Sequence, residues 1–306
     1  FRLADRYNII DKPNARSSHS IITLRGGGIV FPISILLYSF YSGFHYANFL
    51  LGLACISFIS FWDDLHTASS KLRLFFHLMA VTFLFLQLQL FQFPVWVVII
   101  AYVVVIGTIN AYNFMDGING ITGLYSLTAI LTLISINQSL NFIDMELLIF
   151  TGLALMVFLF YNFRIKARCF AGDVGSVSMA FILLFALGAL ILFTREFLYV
   201  LFLSVYGVDT VLTILLRLSK KENIFAAHRS HTYQLLSNER GISQLGVALI
   251  YGLLQLIINL LVIYLVNLNL SPIRQIAFAL GFLTVLSVFY MLARPDTENP
   301  EMSVGK

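Results

Sequence analysis

The chain has 306 residues, of which 59% are hydrophobic and 11% charged, and its mean hydropathy is +0.89. Soluble domains carry about 25% charged residues, so this composition excludes a soluble protein and predicts a polytopic membrane protein. The formal net charge of +4 is too small and too scattered to indicate binding to nucleic acid.

Apolar runs recur along the whole chain. A helix needs about 20 apolar residues to cross the hydrocarbon of a bilayer, and about ten runs meet or approach that length. We therefore predict an all-α bundle of about ten transmembrane helices, folded as one domain over residues 1–306. The runs lie near residues 28–45, 48–62, 72–92, 94–112, 117–137, 145–162, 174–193, 197–217, 243–266 and 272–292.

The basic residues between these runs predict the orientation. If the N-terminal segment is cytoplasmic and each run crosses once, all of the 19 Lys and Arg residues except Arg195 and Arg274 lie on the cytoplasmic side. An excess of Lys and Arg in cytoplasmic loops is the usual signature of membrane topology. A wrong number of spans would scramble this asymmetry, so it supports both the orientation and the count.

Five polar clusters border the apolar runs, and in this topology all five lie on the cytoplasmic side. We expect them to form one site, although they are far apart in the sequence. They occupy residues 12–28, 63–64, 110–120, 171–176 and 228–231.

Four aspartates in these clusters, Asp63, Asp64, Asp116 and Asp173, are the candidate catalytic and metal-binding acids. Each alone has a simpler explanation as a helix cap. Their number on one side favours a shared cation, because an ionised carboxylate at membrane depth costs about 2.5–3.5 kcal/mol. Carboxylate and amide oxygens without a thiolate favour Mg²⁺, with Mn²⁺ as an alternative.

Glycines in the same clusters favour a phosphate ligand. Glycines beside Asp116 and Asp173 precede or begin helices, whose free N–H groups bind anions and whose missing side chains allow close approach. Arg25 precedes three glycines in the segment that begins at Lys12, and both cations are candidate substrate-binding residues. A linker that enters the membrane would explain these glycines equally well.

The longest polar loop contains a basic segment, His228-Arg229-Ser-His231. If the segment is helical, both imidazoles lie on one face, where they could bind a diphosphate together with Arg229. A solvated loop is the alternative.

Lys71 and Arg73 are membrane-edge cations by default, although they could also hold a lipid phosphate. Together these features indicate phosphoryl transfer between a soluble phosphate compound and a lipid.

Five ordered motifs then give a resemblance. The chain resembles the polyprenyl-phosphate N-acetylhexosaminyl-1-phosphate transferases, of the glycosyltransferase family 4 type, in the superfamily that includes the phospho-N-acetylmuramoyl-pentapeptide translocase. It is most similar to the branch that initiates O-antigen and capsule repeat units. Members have one more helix before the first motif, so we expect an upstream segment. The motifs are DKPNARSSH (11–19) with RGGG (25–28), WDDLH (62–66), NAYNFMDGING (110–120), AGDVGS (171–176) and AHRSHTYQ (227–234).

The resemblance implies a reaction and its partners. N-acetylhexosamine 1-phosphate passes from UDP-N-acetylhexosamine to undecaprenyl phosphate, with release of UMP and dependence on Mg²⁺. The product starts a cell-surface polysaccharide. The resemblance places the enzyme in the bacterial inner membrane with its active site facing the cytoplasm. The oligomeric state stays open, with a homodimer as one alternative.

The resemblance also implies a role for each motif residue. Asn113 and Asp173 are the implied metal ligands. The pair Asp63–Asp64 would deprotonate or orient the lipid phosphate, with Asp63 as the acting residue. Asp116 would shape the metal site and Asn119 the nucleoside pocket, while His228, Arg229 and His231 would hold the diphosphate.

Two other classes of function stay open at this point. An ion-coupled transporter would use Asp209, a carboxylate inside the eighth apolar run, because intramembrane carboxylates mark coupling sites by default. Transporters place their binding residues near the midplane, however, whereas the other polar clusters lie at one edge. A structural membrane subunit would leave the aspartates and histidines unexplained.

Overall fold

A computed structural model describes residues 10–11, 23–223 and 228–294 of the chain, with backbone alone at residues 10–11. Two short strands, β1 (Ile10–Asp11) and β2 (Thr23–Leu24), pair antiparallel. The α-helices that follow are α1 (Val30–Ser42), α2 (Ala47–Leu65), α3 (Ser70–Gln87), α4 (Val95–Met115), α5 (Ile121–Leu140), α6 (Met145–Asn162), α7 (Gly172–Thr194), α8 (Ser204–Ser219), α9 (Thr232–Asn238), α10 (Gln244–Asn267) and α11 (Pro272–Ala293).

The predicted all-α membrane fold is confirmed. Within the described residues, eight helical segments are long and apolar enough to cross a membrane. The two remaining predicted spans are also helices. One is α1 with the 3-10 turn Gly27–Ile29 before it, and the other is α3, whose first turn contains two basic residues. The β1–β2 pair is an addition that apolar periodicity gave no reason to expect.

The eighth span is composite, because a 3-10 segment (Phe197–Leu203) precedes α8. Polar backbone groups at such a junction must find partners inside the protein when water is excluded. Gln255 of α10 supplies them: its amide oxygen accepts from Val205 N at 3.1 Å, and its Nε2 donates to Leu201 O at 2.9 Å. The irregular segment is therefore held by a buried side chain of a neighbouring helix.

Helix α7 lies at the centre of the bundle, with nearly every residue from Gly172 to Leu187 buried. It packs against α2 and α4, among others. Phe49 of α2 stacks on Phe181 and Phe185, with ring centroids 5.8 and 4.1 Å apart. A buried hydrogen bond of 2.8 Å joins Ser57 to Ser178. Helix α7 is thereby fixed relative to α2, whose last turn carries Asp63 and Asp64.

The two ends of the bundle differ in chemistry. At one end, Asp144 accepts hydrogen bonds from Tyr38 (2.5 Å) and Tyr46 (3.1 Å), and His45 Nδ1 lies 3.2 Å away. This cluster joins the end of α1 and the starts of α2 and α6. The motif residues lie at the other end of these helices.

Candidate functional site

Asp64, in the last turn of α2, links two segments of the site. Its side chain is fully buried. Its two carboxylate oxygens accept hydrogen bonds from the backbone N–H groups of Asp173 (2.9 Å) and Val174 (3.0 Å). These are first-turn amides of α7, which have no partner within the helix and carry its positive dipole end.

This arrangement corrects one expectation. We expected the glycine-flanked start of α7 to offer its N–H groups to a phosphate, but in the structure the Asp64 carboxylate binds them. Gly172 has φ +72°, and a Cβ added there would lie 2.6 Å from Asp64 Oδ2. The glycine is therefore required by the approach of an internal carboxylate.

Arg25 joins the two aspartates. Its Nε lies 2.8 Å from Asp64 Oδ1, and its Nη2 lies 3.4 Å from Asp173 Oδ1. Asp173 retains 18% exposure of its side chain. The guanidinium thus offsets the charge of two neighbouring acids, and Asp173 is the one that is still accessible.

The glycine motif brings Arg25 into position. Gly27 N donates to Phe170 O at 2.8 Å, and Gly28 N donates to Ala171 O at 3.0 Å. Gly28 and Gly175 cross in direct backbone contact, since a Cβ added to Gly28 would lie 2.2 Å from Gly175 Cα. The glycines at residues 26–28 therefore form a close-packed joint against the start of α7. A linker that only enters the membrane would not need these backbone contacts.

Asp63 belongs to the same end but has different partners. One oxygen accepts from Ala68 N at 2.6 Å, and the other lies 3.1 Å from Arg73 Nη1. Sequence reasoning assigned Arg73 to the membrane edge and missed this ion pair. The sequence signal for this ion pair is the spacing of ten residues between Asp63 and Arg73. The short turn between them brings the first turn of α3 back to the last turn of α2.

The end of α4 approaches the start of α7. Ser176 Oγ lies 3.4 Å from the amide oxygen of Asn113, so this amide is close to the first turn that carries Asp173. Asp116 follows α4 directly and is half-buried. Burial raises the pKa of Asp116 to about 6, and the nearby Asp64 carboxylate acts in the same direction.

Asn119 is tied into the fold. Its amide nitrogen donates to the backbone oxygens of Arg164 (2.9 Å) and Ile165 (3.3 Å). Its side chain is therefore engaged with the loop between α6 and α7, and a role in the nucleoside pocket stays a prediction. Asn162, which sequence reasoning missed, extends this contact: it accepts from Gly120 N at 2.7 Å and donates to Cys169 O at 2.8 Å.

The histidine segment lies beside the end of α4. Tyr233 OH donates to Phe114 O at 2.9 Å, and the His231 ring lies 6.2 Å from the Phe114 ring. The segment 228–230 is not helical, so the condition under which the sequence placed both imidazoles on one helix face is not met. The rings of His228 and His231 are nevertheless adjacent, with centroids 5.0 Å apart. Burial lowers the pKa of His228 to about 4, so this imidazole is neutral at pH 7.

The remaining predicted substrate-binding residues are less informative. Lys71 is exposed in the first turn of α3, and Arg229 is half-buried beside the histidines. Lys12 lies outside the described residues. The structure thus brings Arg25, Asp63, Asp64, Asn113 and Asp173 into one neighbourhood, with Asp116 beside Asn113 and the histidine segment against the end of α4.

The donor set is compatible with Mg²⁺. The carboxylate oxygens of Asp64 and Asp63 already bind other groups of the chain. The accessible Asp173 carboxylate and the Asn113 amide are left as oxygen ligands for a metal ion. Over the described part of the chain, no three Asp, Glu, His or Cys side chains form a closed metal cage. A site with one carboxylate and open positions suits Mg²⁺, which keeps several waters and takes substrate phosphates as ligands.

These observations define a polytopic membrane protein with an acidic and basic site at one end of a helical bundle. Residues 46–192 match the model of glycosyl transferase family 4. Over these residues the chain is similar to that family, which comprises the phospho-N-acetylmuramoyl-pentapeptide transferases and the polyprenyl-phosphate hexose-1-phosphate transferases. The protein is thus a membrane transferase of the polyprenyl-phosphate sugar-1-phosphate type. No curated protein matched the chain.

Proposed function

We propose that the protein transfers N-acetylhexosamine 1-phosphate from UDP-N-acetylhexosamine to undecaprenyl phosphate. The reaction would take place at the cytoplasmic face of a bacterial inner membrane and begin an O-antigen or capsule repeat unit. The observation that carries the proposal is the Asp64–Arg25–Asp173 cluster beside the Asn113 amide, at one end of a membrane bundle. The motif forms outside the matched residues, RGGG and AHRSHTYQ, support this branch.

The proposed reaction is a single displacement at the β-phosphorus of the donor. An oxygen of the lipid phosphate attacks the β-phosphorus of the donor, and the bond from that phosphorus to the oxygen bridging to the α-phosphate breaks. UMP leaves with the bridging oxygen, and the sugar stays on the β-phosphate in the new lipid diphosphate. The lipid phosphate is anionic near neutral pH, so the attack requires no strong base.

The chain's own groups would arrange the two anions. Asp173 and Asn113 would hold Mg²⁺, which when bound supplies charge neutralisation to the phosphate oxygens. Arg25 lies against Asp64 and Asp173, so its guanidinium would also be close enough to contact the donor's phosphates. His228 is neutral at pH 7, so it would act as a hydrogen-bonding group towards the diphosphate and not as a fixed cation.

The partners that Asp63 and Asp64 already bind favour direct attack by the lipid phosphate over an aspartyl intermediate. Both oxygens of Asp64 bind backbone N–H groups, and both oxygens of Asp63 are engaged by Ala68 N and Arg73. A nucleophilic carboxylate would have to give up one of these partners. Asp63 would instead orient Arg73, whose position near the membrane edge suits a lipid phosphate.

The alternative of a transporter that uses Asp209 finds little support. The Asp209 carboxylate is fully buried and accepts hydrogen bonds from Thr232 N, Tyr233 N, Thr213 and Tyr251. A coupling carboxylate must exchange its ion with water during transport, and this one is enclosed by donors of its own chain.

One assay tests the proposal. Purified protein is incubated with undecaprenyl phosphate, Mg²⁺ and one of several UDP-sugars labelled in the sugar, and the label extractable into organic solvent is counted. We expect label to be extracted from a UDP-N-acetylhexosamine and to disappear when EDTA is added. Extraction from no UDP-N-acetylhexosamine, or equal extraction with EDTA, would contradict it.

A further inference from the structure

The carboxylate of Asp209 in α8 lies outside the site described above, and it is completely buried. It accepts from Thr232 N (2.9 Å) and Tyr233 N (3.3 Å), the first amides of α9. Tyr251 OH donates to it at 2.6 Å and Thr213 Oγ1 at 3.2 Å. A membrane helix thus holds the N-terminus of a short helix in the longest polar loop.

His231, the residue immediately before α9, is the one cation-forming group among the described contacts of this carboxylate. Its Nδ1 lies 3.6 Å from Asp209 Oδ1, and its side chain is 3% exposed. Apart from this carboxylate and the backbone N–H of Gln234, which forms a capping box with the His231 side chain, neither ring nitrogen has a hydrogen-bond partner within the described residues. A buried polar group left without a partner costs about 1–3 kcal/mol, so such an imidazole points to a missing ligand or proton acceptor.

The imidazole also lies next to the proposed active site. Its ring is 6.2 Å from Phe114, and the neighbouring Tyr233 hydroxyl binds Phe114 O. Phe114 stands between Asn113 and Asp116 at the end of α4. His231 therefore has a carboxylate on one side and the metal-binding end of α4 on the other.

A second anchor holds the same segment from the last helix. Arg294, which follows α11, donates to Ser230 O at 2.6 Å and to Thr213 Oγ1 at 3.3 Å. Ser230 is thereby fixed from the side of α11 while His231 is fixed from α8. Two membrane helices define where the segment can lie, although its own backbone is irregular.

We propose that Asp209 is a positioning residue that orients His231 for contact with the substrate diphosphate. A carboxylate beside Nδ1 favours a proton on that nitrogen, and a ring held in this way that also carries a proton on Nε2 would donate this second N–H to an anionic phosphate oxygen. The proposal rests on the proposed function, because the diphosphate is the partner that it assigns to Nε2. Asp209 itself touches no substrate.

The kinetic test is a double-mutant cycle on the full chain in proteoliposomes, with the sugar-1-phosphate assay as readout. Asp209→Asn and His231→Gln should each lower kcat by about tenfold or more. If Asp209 acts through His231, the double variant should be no slower than the slower single variant. Losses that multiply in the double variant would overturn the proposal.

A matched control separates positioning from stability. Tyr251→Phe removes the 2.6 Å donor to the same carboxylate but leaves the Asp209–His231 pair in place. We expect it to lower the melting temperature, because a buried hydrogen bond is lost, while kcat stays within about twofold of wild type. A kcat loss as large as that of Asp209→Asn would mean that any weakening of the fold slows the enzyme, and the proposal would fall.

A spectroscopic arm needs neither activity nor a folded Asp209 variant. The chain has six histidines, so ¹⁵N-imidazole labelling with solid-state NMR can resolve His231 by comparison with His231→Gln. We expect wild-type His231 to carry a proton on Nδ1. A neutral ring protonated on Nε2 alone would overturn the proposal. Absence of sugar-phosphate transfer by the wild type would refute the proposed function and leave this result standing.

Discussion

Asp64 is the acid on which the cluster depends, because it binds Arg25 and two first-turn amides of α7, those of Asp173 and Val174, at the same time. We predict that Asp64→Asn lowers the free energy of unfolding by about 2–3 kcal/mol, since an amide cannot offset the guanidinium and must turn a donor towards one of the N–H groups. Thermal unfolding in detergent measures the effect. Glu146→Gln, which removes an exposed carboxylate elsewhere, should change stability by less than about 0.5 kcal/mol. Equal losses in the two variants would contradict this assignment.

The half-buried position of His228 predicts a response to acid. Its folded-state pKa is about 4, whereas an unfolded chain gives about 6.5, so the unfolded state binds more protons between these values. Stability contributed by the neutral ring is therefore present above pH 6.5 and is lost as the pH falls towards 4. Melting temperatures measured across this window should fall less steeply for His228→Gln than for wild type. Identical slopes would show that the ring titrates normally.

At the scale of elements, the crossing of the glycine loop over the start of α7 makes a steric prediction. Gly28→Ala would place a Cβ 2.2 Å from Gly175 Cα, so the loop must move and carry Arg25 away from Asp64. We expect a loss of transfer activity of at least about tenfold, because small displacements in an active site have large effects on rate. The measurement is the initial rate at saturating donor.

The control for this change is Gly107→Ala. A Cβ at Gly107 in α4 meets nothing within 4 Å, and alanine is the better helix former by about 1 kcal/mol. Activity should be retained and the melting temperature unchanged or higher. If Gly28→Ala is as active as Gly107→Ala, the joint does not position Arg25.

The same elements show what the sequence could predict. Apolar length predicts each membrane helix, and the aspartate pair falls at a helix end, as a polar residue at a membrane edge must. The pairing of Asp64 with α7, and of Asp209 with α9, could not be predicted, because a free carboxylate and a cap look alike in a single sequence. Only the packing of α2 against α7 and of α8 against α10 decides which amides lie within reach.

The composite eighth span illustrates a second limit. Its residues read as one apolar run, but the chain is 3-10 helical before Ser204, and Gln255 from α10 binds the freed backbone groups. A glutamine in an apolar run indicates a buried polar partner, yet nothing local identifies that partner. Likewise, the longest polar loop contains α9, because the Asp209 carboxylate accepts hydrogen bonds from the first amides of α9 and the ring of Tyr251 packs against that of Tyr233.

For the whole molecule, the distribution of Lys and Arg predicts which end faces the cytoplasm. Single cysteines placed in a background without Cys55 and Cys169 can test it with a membrane-impermeant maleimide on intact cells. Lys166→Cys, in an exposed loop at the site end, should be protected until the cells are opened. Asn267→Cys, exposed at the opposite end, should react at once. The reverse pattern would invert the topology.

In the proposed reaction phosphorus, and not the sugar alone, passes to the lipid at a site built from Asp173, Asn113 and Arg25. The most direct measurement supplies donor labelled with ³²P at the β-phosphate, together with undecaprenyl phosphate and Mg²⁺. We predict labelled lipid and unlabelled UMP from the wild type, and no labelled lipid from a stably inserted Asp173→Asn variant. Label that stays in UDP while the sugar enters the lipid, or normal labelling by Asp173→Asn, would contradict the account.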